Sequence, residues 1–214
     1  EAPVNPRADR PPTPWQAPAP PPDFTGRGEQ LHTLERLFRT RRATCVISGM
    51  PGVGKTSLAL RAAESLRDDF PDGQLYVDLR GADDEPVSTV AMLARLLRGL
   101  GTPAGAVPVD ADEAGALYRS MLADRRLLVI LDNARNTAQL RPLLPGGGAS
   151  GVLVTSRHAC PDLPGAAHVN LPVLARTEAL DMLRGRLRTA GPRTTGGPRP
   201  CSPRCAAGCR WHCG

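Results

Sequence analysis

Two hydrophobic patterns alternate along the middle of the chain. Uninterrupted apolar runs of about five residues predict buried strands, and segments with apolar residues three or four positions apart predict amphipathic helices. The predicted strands are Thr44–Ser48, Gln74–Leu79, Leu127–Leu131, Gly151–Thr155 and Ala167–Leu171. The predicted helices are Glu29–Arg41, Ser57–Phe70, Val87–Leu100, Asp112–Ala123 and Arg176–Arg188. Strands that alternate with helices predict an α/β fold, in which a five-stranded parallel sheet lies between two layers of helices.

The two ends of the chain lack this periodicity. Residues 1–22 hold nine prolines, and proline fixes φ and donates no backbone hydrogen bond, so we expect an extended linker. Residues 189–214 are rich in Arg, Gly, Pro and Cys and predict an irregular tail. One folded domain over residues 23–188 is therefore predicted, with disordered tails on both sides. The first residue is Glu1 rather than Met, which suggests a piece of a longer chain.

Composition and charge argue against a DNA-binding surface on the predicted domain. Hydrophobic residues make up 41% of the chain, enough for a core, and 27 basic against 21 acidic residues give a net charge of +6. Lys55 is the one lysine among the basic residues, a bias typical of GC-rich coding. Residues 189–214 carry four arginines and no acid, so the excess charge forms no basic stripe along the domain. We therefore expect any DNA contact to come from regions absent from this chain.

The sequence also predicts a location. It contains no run of eighteen apolar residues that could span a membrane, and its start has no apolar leader segment. Cys45 and Cys160 fit ordinary small apolar positions of a protein in a reducing compartment. We expect a cytoplasmic protein with no membrane partner.

The strongest motif is a phosphate-binding loop. Residues Gly49–Thr56 (GMPGVGKT) match G-x-x-x-x-G-K-[ST] in full, between a predicted strand and a predicted helix. Glycines let successive backbone N–H groups point at phosphate oxygens, the lysine adds a compact charge, and the threonine hydroxyl reaches Mg²⁺. A plain glycine turn is the alternative interpretation. The candidate nucleotide-binding residues here are Gly49, Gly52, Val53, Gly54, Lys55, Thr56 and the neighbouring Ser57.

Asp132 is the candidate catalytic residue and, with Thr56, the candidate ligand of Mg²⁺. It directly follows the apolar run Leu127–Leu131, where a P-loop protein places an acid that holds the metal. The alternative is that Asp132 caps the next helix. Asn133 stands where many hydrolysing ATPases have a Glu or Asp, and an amide is a poor base, so slow hydrolysis is expected.

Arg157 follows the predicted strand Gly151–Thr155. From the end of that strand it could reach the γ-phosphate and report whether this group is present. A solvated surface arginine is the alternative.

These motifs occur in one order that resembles the NB-ARC domain of STAND signal-transduction ATPases, a group of P-loop NTPases. More narrowly, the order is similar to bacterial regulators related to the antibiotic regulatory proteins of actinomycetes. The resemblance covers about residues 23–188. The matching segments are Phe24–Arg27 (FTGR), GMPGVGKT, QLYVDLRG, LLVILDNA and VLVTSR.

The resemblance implies a molecular switch that binds ADP in a closed state and ATP in an open, oligomerising state. It implies that Arg27 lies near the adenine and that Lys55 and Thr56 bind phosphates and Mg²⁺. It assigns Asp132 to the metal and makes Arg157 a sensor of the γ-phosphate. In such regulators a Pro-rich linker connects the ATPase to a DNA-binding region.

After about residue 188 the chain departs from this family. If the codons of Gly208–Gly214 end in C, the frame shifted by two bases spells Leu-Pro-Leu-Ala-Leu-Arg, the motif that the family has next. We infer a frameshift or sequencing error between about residues 184 and 201, which resequencing would test. The alternatives are a zinc site or disulfides built from Cys201, Cys205, Cys209, Cys213 and His212.

Two other functions stay open at this point. The chain could be a self-contained P-loop ATPase or kinase, or a non-functional fragment of a regulator. A self-contained enzyme would need a pocket for an acceptor substrate and a strong base. The sequence indicates neither, which argues against the enzyme.

Overall fold

The computed structural model describes residues 13–40, 44–83 and 87–189, with side chains up to residue 184. The linker before residue 13 and the cysteine-rich tail, including the zinc and frameshift hypotheses, lie outside the described residues. The strands are β1 Thr44–Ser48, β2 Gln74–Asp78, β3 Leu128–Ala134, β4 Gly151–Ser156 and β5 Ala167–Asn170. The helices are α1 Gly28–Arg39, α2 Lys55–Ser65, α3 Thr89–Gly99, α4 Ala111–Ala123, α5 Thr137–Leu140 and α6 Arg176–Thr189.

The five strands form one parallel sheet in the order β2-β3-β4-β1-β5. Strand β1 lies between β4 and β5, so Ile47 pairs with Thr155 on one side and Val169 on the other. The predicted α/β fold with a five-stranded parallel sheet is confirmed. In open sheets of this kind, ligands bind at the carboxyl ends of the strands.

Two apolar cores cover the two faces of the sheet. One core contains residues of α3 and α4, such as Leu96 and Tyr118, and the other contains residues of α1 and α2, such as Leu34 and Leu58. Because both faces are covered, the central strands are apolar almost throughout: every residue of β4 is buried. The helices thus leave the carboxyl edge of the sheet as the place where polar side chains meet.

Several element boundaries differ from the prediction. Helix α2 begins at Lys55 and ends at Ser65, and turns carry the chain on to Phe70. Strand β3 continues past Leu131 to Ala134, with a left-handed φ of 57° at Asn133 and a shift in its register with β4 between Leu131 and Ala134. Helix α5 and two short 3₁₀ turns have too few residues for a periodic signal.

Residues 13–22, placed in the linker by their prolines, lie against the domain where the structure describes them. Trp15 pairs with Gln74 at the start of β2, the outer strand, through hydrogen bonds from Gln16 N to Gln74 O (2.9 Å) and from Gln74 N to Pro14 O (2.6 Å). The Arg67 guanidinium lies 4.2 Å from the Trp15 ring centroid, a cation–π contact. This segment is extended, as predicted, but it contacts the sheet edge. We call residues 13–20 the N-terminal strap.

The thiols of Cys45 and Cys160 are free and buried, as expected of small apolar residues, and burial raises the pKa of Cys45 to about 12. Within residues 13–40, 44–83 and 87–189, none of the helices has the length and apolar character needed to cross a bilayer.

Candidate functional site

The loop between β1 and α2 has the backbone shape that the motif requires. Gly49 has φ of 153°, and a Cβ there would stand 2.6 Å from the Leu171 carbonyl oxygen, so only glycine fits. Gly54 precedes α2 in a left-handed conformation, and no side chain caps this helix. The first N–H groups of α2 and the positive end of its dipole are therefore available to an anion.

A cavity of about 420 Å³ opens above this loop. It lies at the carboxyl ends of β2, β3 and β4, where the sheet topology places a ligand. The structure brings together here all but three of the predicted site residues. The cavity is lined by Pro51, Gly52, Gly54, Lys55, Thr56, Ser57, Asp78, Asp132, Asn133, Thr155 and Arg157.

Lys55 lies across the loop and holds it closed. Its Nζ donates hydrogen bonds to the carbonyl oxygens of Gly49 (2.9 Å) and Met50 (2.8 Å), and an ammonium group has a third donor for a ligand. Partial burial and then the like charge of Arg157 lower the pKa of Lys55, while Asp132 acts in the opposite direction. Two neighbouring cations therefore face the cavity, which favours a polyanionic ligand.

Asp132 is buried, and three hydroxyl groups donate to its carboxylate. Oδ1 accepts from Thr56 (2.9 Å) and from Thr155 (2.5 Å), and Oδ2 accepts from Tyr76 (3.0 Å). The carboxylate oxygens are oriented by these bonds toward Thr56 at the start of α2. The alternative that Asp132 caps a helix is not what the structure shows, since the N-cap of α5 is Asn136.

The Thr56 hydroxyl and the Asp132 carboxylate suit Mg²⁺, but two ligands are too few to hold a metal without a nucleotide. A hydroxyl and a carboxylate in direct contact are hard oxygen donors, and Mg²⁺ takes its remaining ligands from phosphates and water. Over the part of the chain that the structure describes, no group of three or more His, Cys, Asp or Glu side chains could hold a metal. The residues present therefore fit Mg²⁺ that arrives with a nucleotide.

A second, smaller cavity of about 140 Å³ lies on the other side of the loop. Phe24, Val53, Leu174 and Met182 give it an apolar lining, and Gly52, Gly54 and Ser57 line both cavities. An apolar cavity joined through the loop to a cationic one has the polarity expected of a site for a base next to a site for phosphates.

Arg27 lines the second cavity, but its guanidinium is already engaged. It is 5% exposed and donates from Nη2 to the carbonyl oxygens of Pro172 (2.6 Å) and Val53 (3.4 Å). Its backbone N–H donates to Glu178 of α6 at 3.3 Å. Arg27 thus connects three parts of the chain: the loop, the segment before α6, and α6 itself. The sequence did not indicate this structural role.

The sequence missed Tyr76, Asp78 and Thr155 as members of the site. Tyr76 and Asp78 lie on β2 two residues apart and share a face of the strand, which the alternation of strand side chains could have indicated. Their meeting with Asp132 depends on β2 lying beside β3, and strand order is not encoded locally.

A parallel sheet of this order with a GMPGVGKT loop at the carboxyl end of β1 defines a P-loop NTPase. The chain belongs to the AAA ATPase domain family, which matches residues 23–195.

The chain is also similar to individual known proteins. The chain is 44% identical over 200 residues to the regulatory protein AfsR of Streptomyces griseus, a match that covers 92% of the chain and 20% of the relative. It is 46% identical over 176 residues to AfsR of Streptomyces coelicolor, covering 78% of the chain and 18% of the relative. The predicted resemblance to actinomycete regulators is confirmed. The chain spans about a fifth of the length of these relatives.

More distant similarity extends to plants and archaea. The disease resistance-like protein CSA1 of Arabidopsis thaliana is 32% identical over 126 residues, covering 56% of the chain and 10% of the relative. Among solved structures, the ORC2 protein of Aeropyrum pernix superposes with a TM-score of 0.57 at 22% identity, covering 79% of the chain and 54% of that protein. At this identity the likeness to ORC2 supports the fold.

Proposed function

We propose that the chain is the nucleotide-binding switch domain of a larger transcriptional regulator, and that it binds ATP and ADP with Mg²⁺. The observation that carries the proposal is the pairing of Lys55 with Thr56 and Asp132 around one cavity of about 420 Å³. A cation, an oriented hydroxyl–carboxylate pair and an uncapped helix N-terminus are what a magnesium-bound polyphosphate requires.

The two joined cavities support a whole nucleotide. In this proposal the phosphates lie over Gly52, Gly54, Lys55 and Thr56, and the adenine enters the apolar cavity beside Val53. Nη2 of Arg27 already donates to two carbonyl groups. In this proposal Arg27 therefore acts on the adenine side by holding the wall of that cavity in place. Gly49 and Ser57 complete the loop.

Thr56 and Asp132 would hold Mg²⁺ in this site. When bound, the ion neutralises phosphate charge and helps to orient the phosphates. The chain's own part is to keep the Asp132 carboxylate aimed at Thr56, which the hydroxyls of Tyr76 and Thr155 do.

We infer that hydrolysis at this site is slow. Asn133 lines the cavity next to Asp132, and its amide cannot accept a proton as a carboxylate can. A slow site holds its nucleotide long enough for the bound state to act as a signal. In this proposal Arg157 contacts the γ-phosphate and so distinguishes ATP from ADP. Two observations support it: Arg157 lines the cavity, and its charge lowers the pKa of Lys55.

Transmission of the signal would run through α6. Glu178 on α6 accepts hydrogen bonds from the Arg27 N–H (3.3 Å) and from Ala175 N (3.0 Å), next to the cavity proposed for adenine. A change in that cavity therefore reaches the last helix of the described domain. The chain spans about a fifth of the length of its relatives. We therefore propose that DNA binding, and oligomerisation in the ATP state, belong to regions of the full-length regulator that are absent from this chain, and that the regulator acts in the cytoplasm.

The nucleotide that co-purifies with the protein tests this proposal. We expect bound ADP that resists dialysis against buffer with Mg²⁺ and is released by a chelator, measured by chromatography after denaturation. Protein that carries no nucleotide and takes up none would contradict it. Turnover above a few per second with a second substrate would instead favour a self-contained kinase or ATPase.

A further inference from the structure

A second carboxylate, that of Asp78, lines the phosphate cavity beside Asp132. Asp78 ends strand β2 and pairs in register with Asp132 of β3. Adjacent strands lie about 4.8 Å apart, and paired residues of parallel strands point to the same face. The half-buried Asp78 therefore stands beside the metal acid and lines the same cavity as Lys55 and Arg157.

The Asp78 carboxylate is held by the turn that follows it. Oδ1 accepts a hydrogen bond from Arg80 N at 2.9 Å, and Arg80 has a left-handed φ of 49°. Gly81 N donates to Asn133 O at 2.7 Å, which fastens the turn to the end of β3. One oxygen of Asp78 thus accepts from the backbone, and the other has no hydrogen-bond partner among the described residues, so it can meet a ligand in the cavity.

Among the described residues that line this cavity, Asp78 is the only group suited to accept a proton. Asp132 is the only other carboxylate in the lining, and its oxygens already accept three hydroxyl hydrogens. Asn133 carries an amide, and Lys55 and Arg157 are cations. A general base needs a proton acceptor within reach of the reacting water.

We propose that Asp78 is the catalytic base for ATP hydrolysis at this site. The inference rests on the proposed nucleotide function and deepens it. The oxygen of water forms a bond to the γ-phosphorus while the bond from this phosphorus to the β–γ bridging oxygen breaks. The proton from water passes to the Asp78 carboxylate, ADP leaves with the bonding electron pair, and the proton then returns to solvent.

Single-turnover hydrolysis of radiolabelled ATP by excess protein tests the assignment. We expect Asp78→Asn to slow hydrolysis about 100-fold, because general-base catalysis contributes 10²–10⁴-fold, while the affinity for MgADP changes by less than about twofold. Asp83→Asn is the matched control: it removes a carboxylate from the same turn, outside the cavity lining, and leaves the rate unchanged. Formate should partly restore hydrolysis by Asp78→Ala, since it supplies the missing carboxylate.

The outcomes separate this inference from the proposed function. A wild-type hydrolysis rate in Asp78→Asn, or a loss of MgADP affinity that accounts for the slower rate, overturns the role of Asp78 as base. A wild-type protein that binds MgATP but never hydrolyses it also overturns that role and leaves nucleotide binding intact. Failure of wild-type protein to bind MgATP overturns the proposed function itself.

Discussion

Asp132 is the residue at which β2, β3, β4 and α2 converge. Its two oxygens accept the hydroxyl hydrogens of Thr56, Thr155 and Tyr76, one from each neighbouring element. Burial, with the charge of Asp132 beside it, raises the pKa of Tyr76, so this phenol stays a donor at physiological pH. The orientation of the Asp132 carboxylate therefore depends in part on Tyr76, which does not line the cavity.

Tyr76→Phe should weaken magnesium-dependent binding specifically. A hydrogen bond to a charged group is worth about 1.5–3 kcal/mol, and part of that is lost when Asp132 Oδ2 loses its donor. We expect the affinity for MgADP to fall about tenfold, while the affinity for ADP in chelator stays unchanged. Equal losses in both conditions, measured by calorimetry, would refute a role through the metal.

Tyr118→Phe is the control for that variant and a prediction of its own. The Tyr118 hydroxyl is fully buried in the core and finds no hydrogen-bond partner among the described residues. Removing an unsatisfied buried hydroxyl should leave nucleotide affinity unchanged and raise the free energy of unfolding by up to about 1 kcal/mol. A loss of stability in urea unfolding would show that the hydroxyl is hydrogen-bonded in solution.

At the residue scale, sequence predicted the contacts that follow from a local motif. Lys55 and Thr56 begin helix α2, directly after a loop whose backbone is set by its glycines, and Asp132 follows directly on an apolar run. Tyr76 and Asp78 could not be placed, because their role depends on β2 being the neighbour of β3.

The N-terminal strap shows how an element can be misread from composition. Prolines in residues 13–22 predict an extended chain correctly, yet proline does not prevent its neighbours from pairing with an edge strand. Gln16 donates to Gln74 at the exposed edge of β2, where any strand has unpaired groups. The strap covers the start of that edge.

Trp15→Ala should destabilise the domain through this contact. The substitution removes the cation–π contact with Arg67 and part of the strap's burial, although Trp15 itself is 41% exposed. We expect a loss of about 1 kcal/mol in the free energy of unfolding. Val109→Ala, at a side chain 91% exposed, is the control and should change stability by less than about 0.5 kcal/mol. Equal stabilities of Trp15→Ala and wild type would mean that the strap does not dock.

Helix α6 should be anchored in a pH-dependent way. Hydrogen bonds from Ala175 N and Arg27 N lower the pKa of Glu178, so its ionised form favours the docked helix. A carboxyl group whose pKa is lowered in the folded state stabilises that state at a pH above its ordinary pKa of about 4.3. This stabilisation disappears as the pH falls through the pKa of the folded state. Glu178→Gln should therefore be less stable than wild type at pH 7, and the difference should shrink as the pH falls below about 4.3 and through the lowered pKa of Glu178. A difference that is constant with pH in urea unfolding would contradict this.

The whole molecule is a parallel sheet with an apolar core on each face, and the functional groups meet at one edge of it. Alternating patterns were enough to predict the α/β fold, because strands buried on both faces are almost purely apolar. They could not give the order β2-β3-β4-β1-β5, which brings the ends of β2, β3 and β4 around one cavity. The domain bounds of residues 23–188 remain a prediction. The family model matches a similar range, residues 23–195.

Calorimetric titration of MgADP into the wild-type protein and into Lys55→Ala tests whether Lys55 binds the phosphates. We expect saturable binding to wild type and affinity at least about 100-fold weaker in Lys55→Ala, because the substitution removes the cation next to the phosphates. Arg61→Ala removes an exposed cation from the same helix and should bind as wild type does. Equal affinity of Lys55→Ala and wild type, with both proteins folded by circular dichroism, would show that Lys55 does not bind the phosphates.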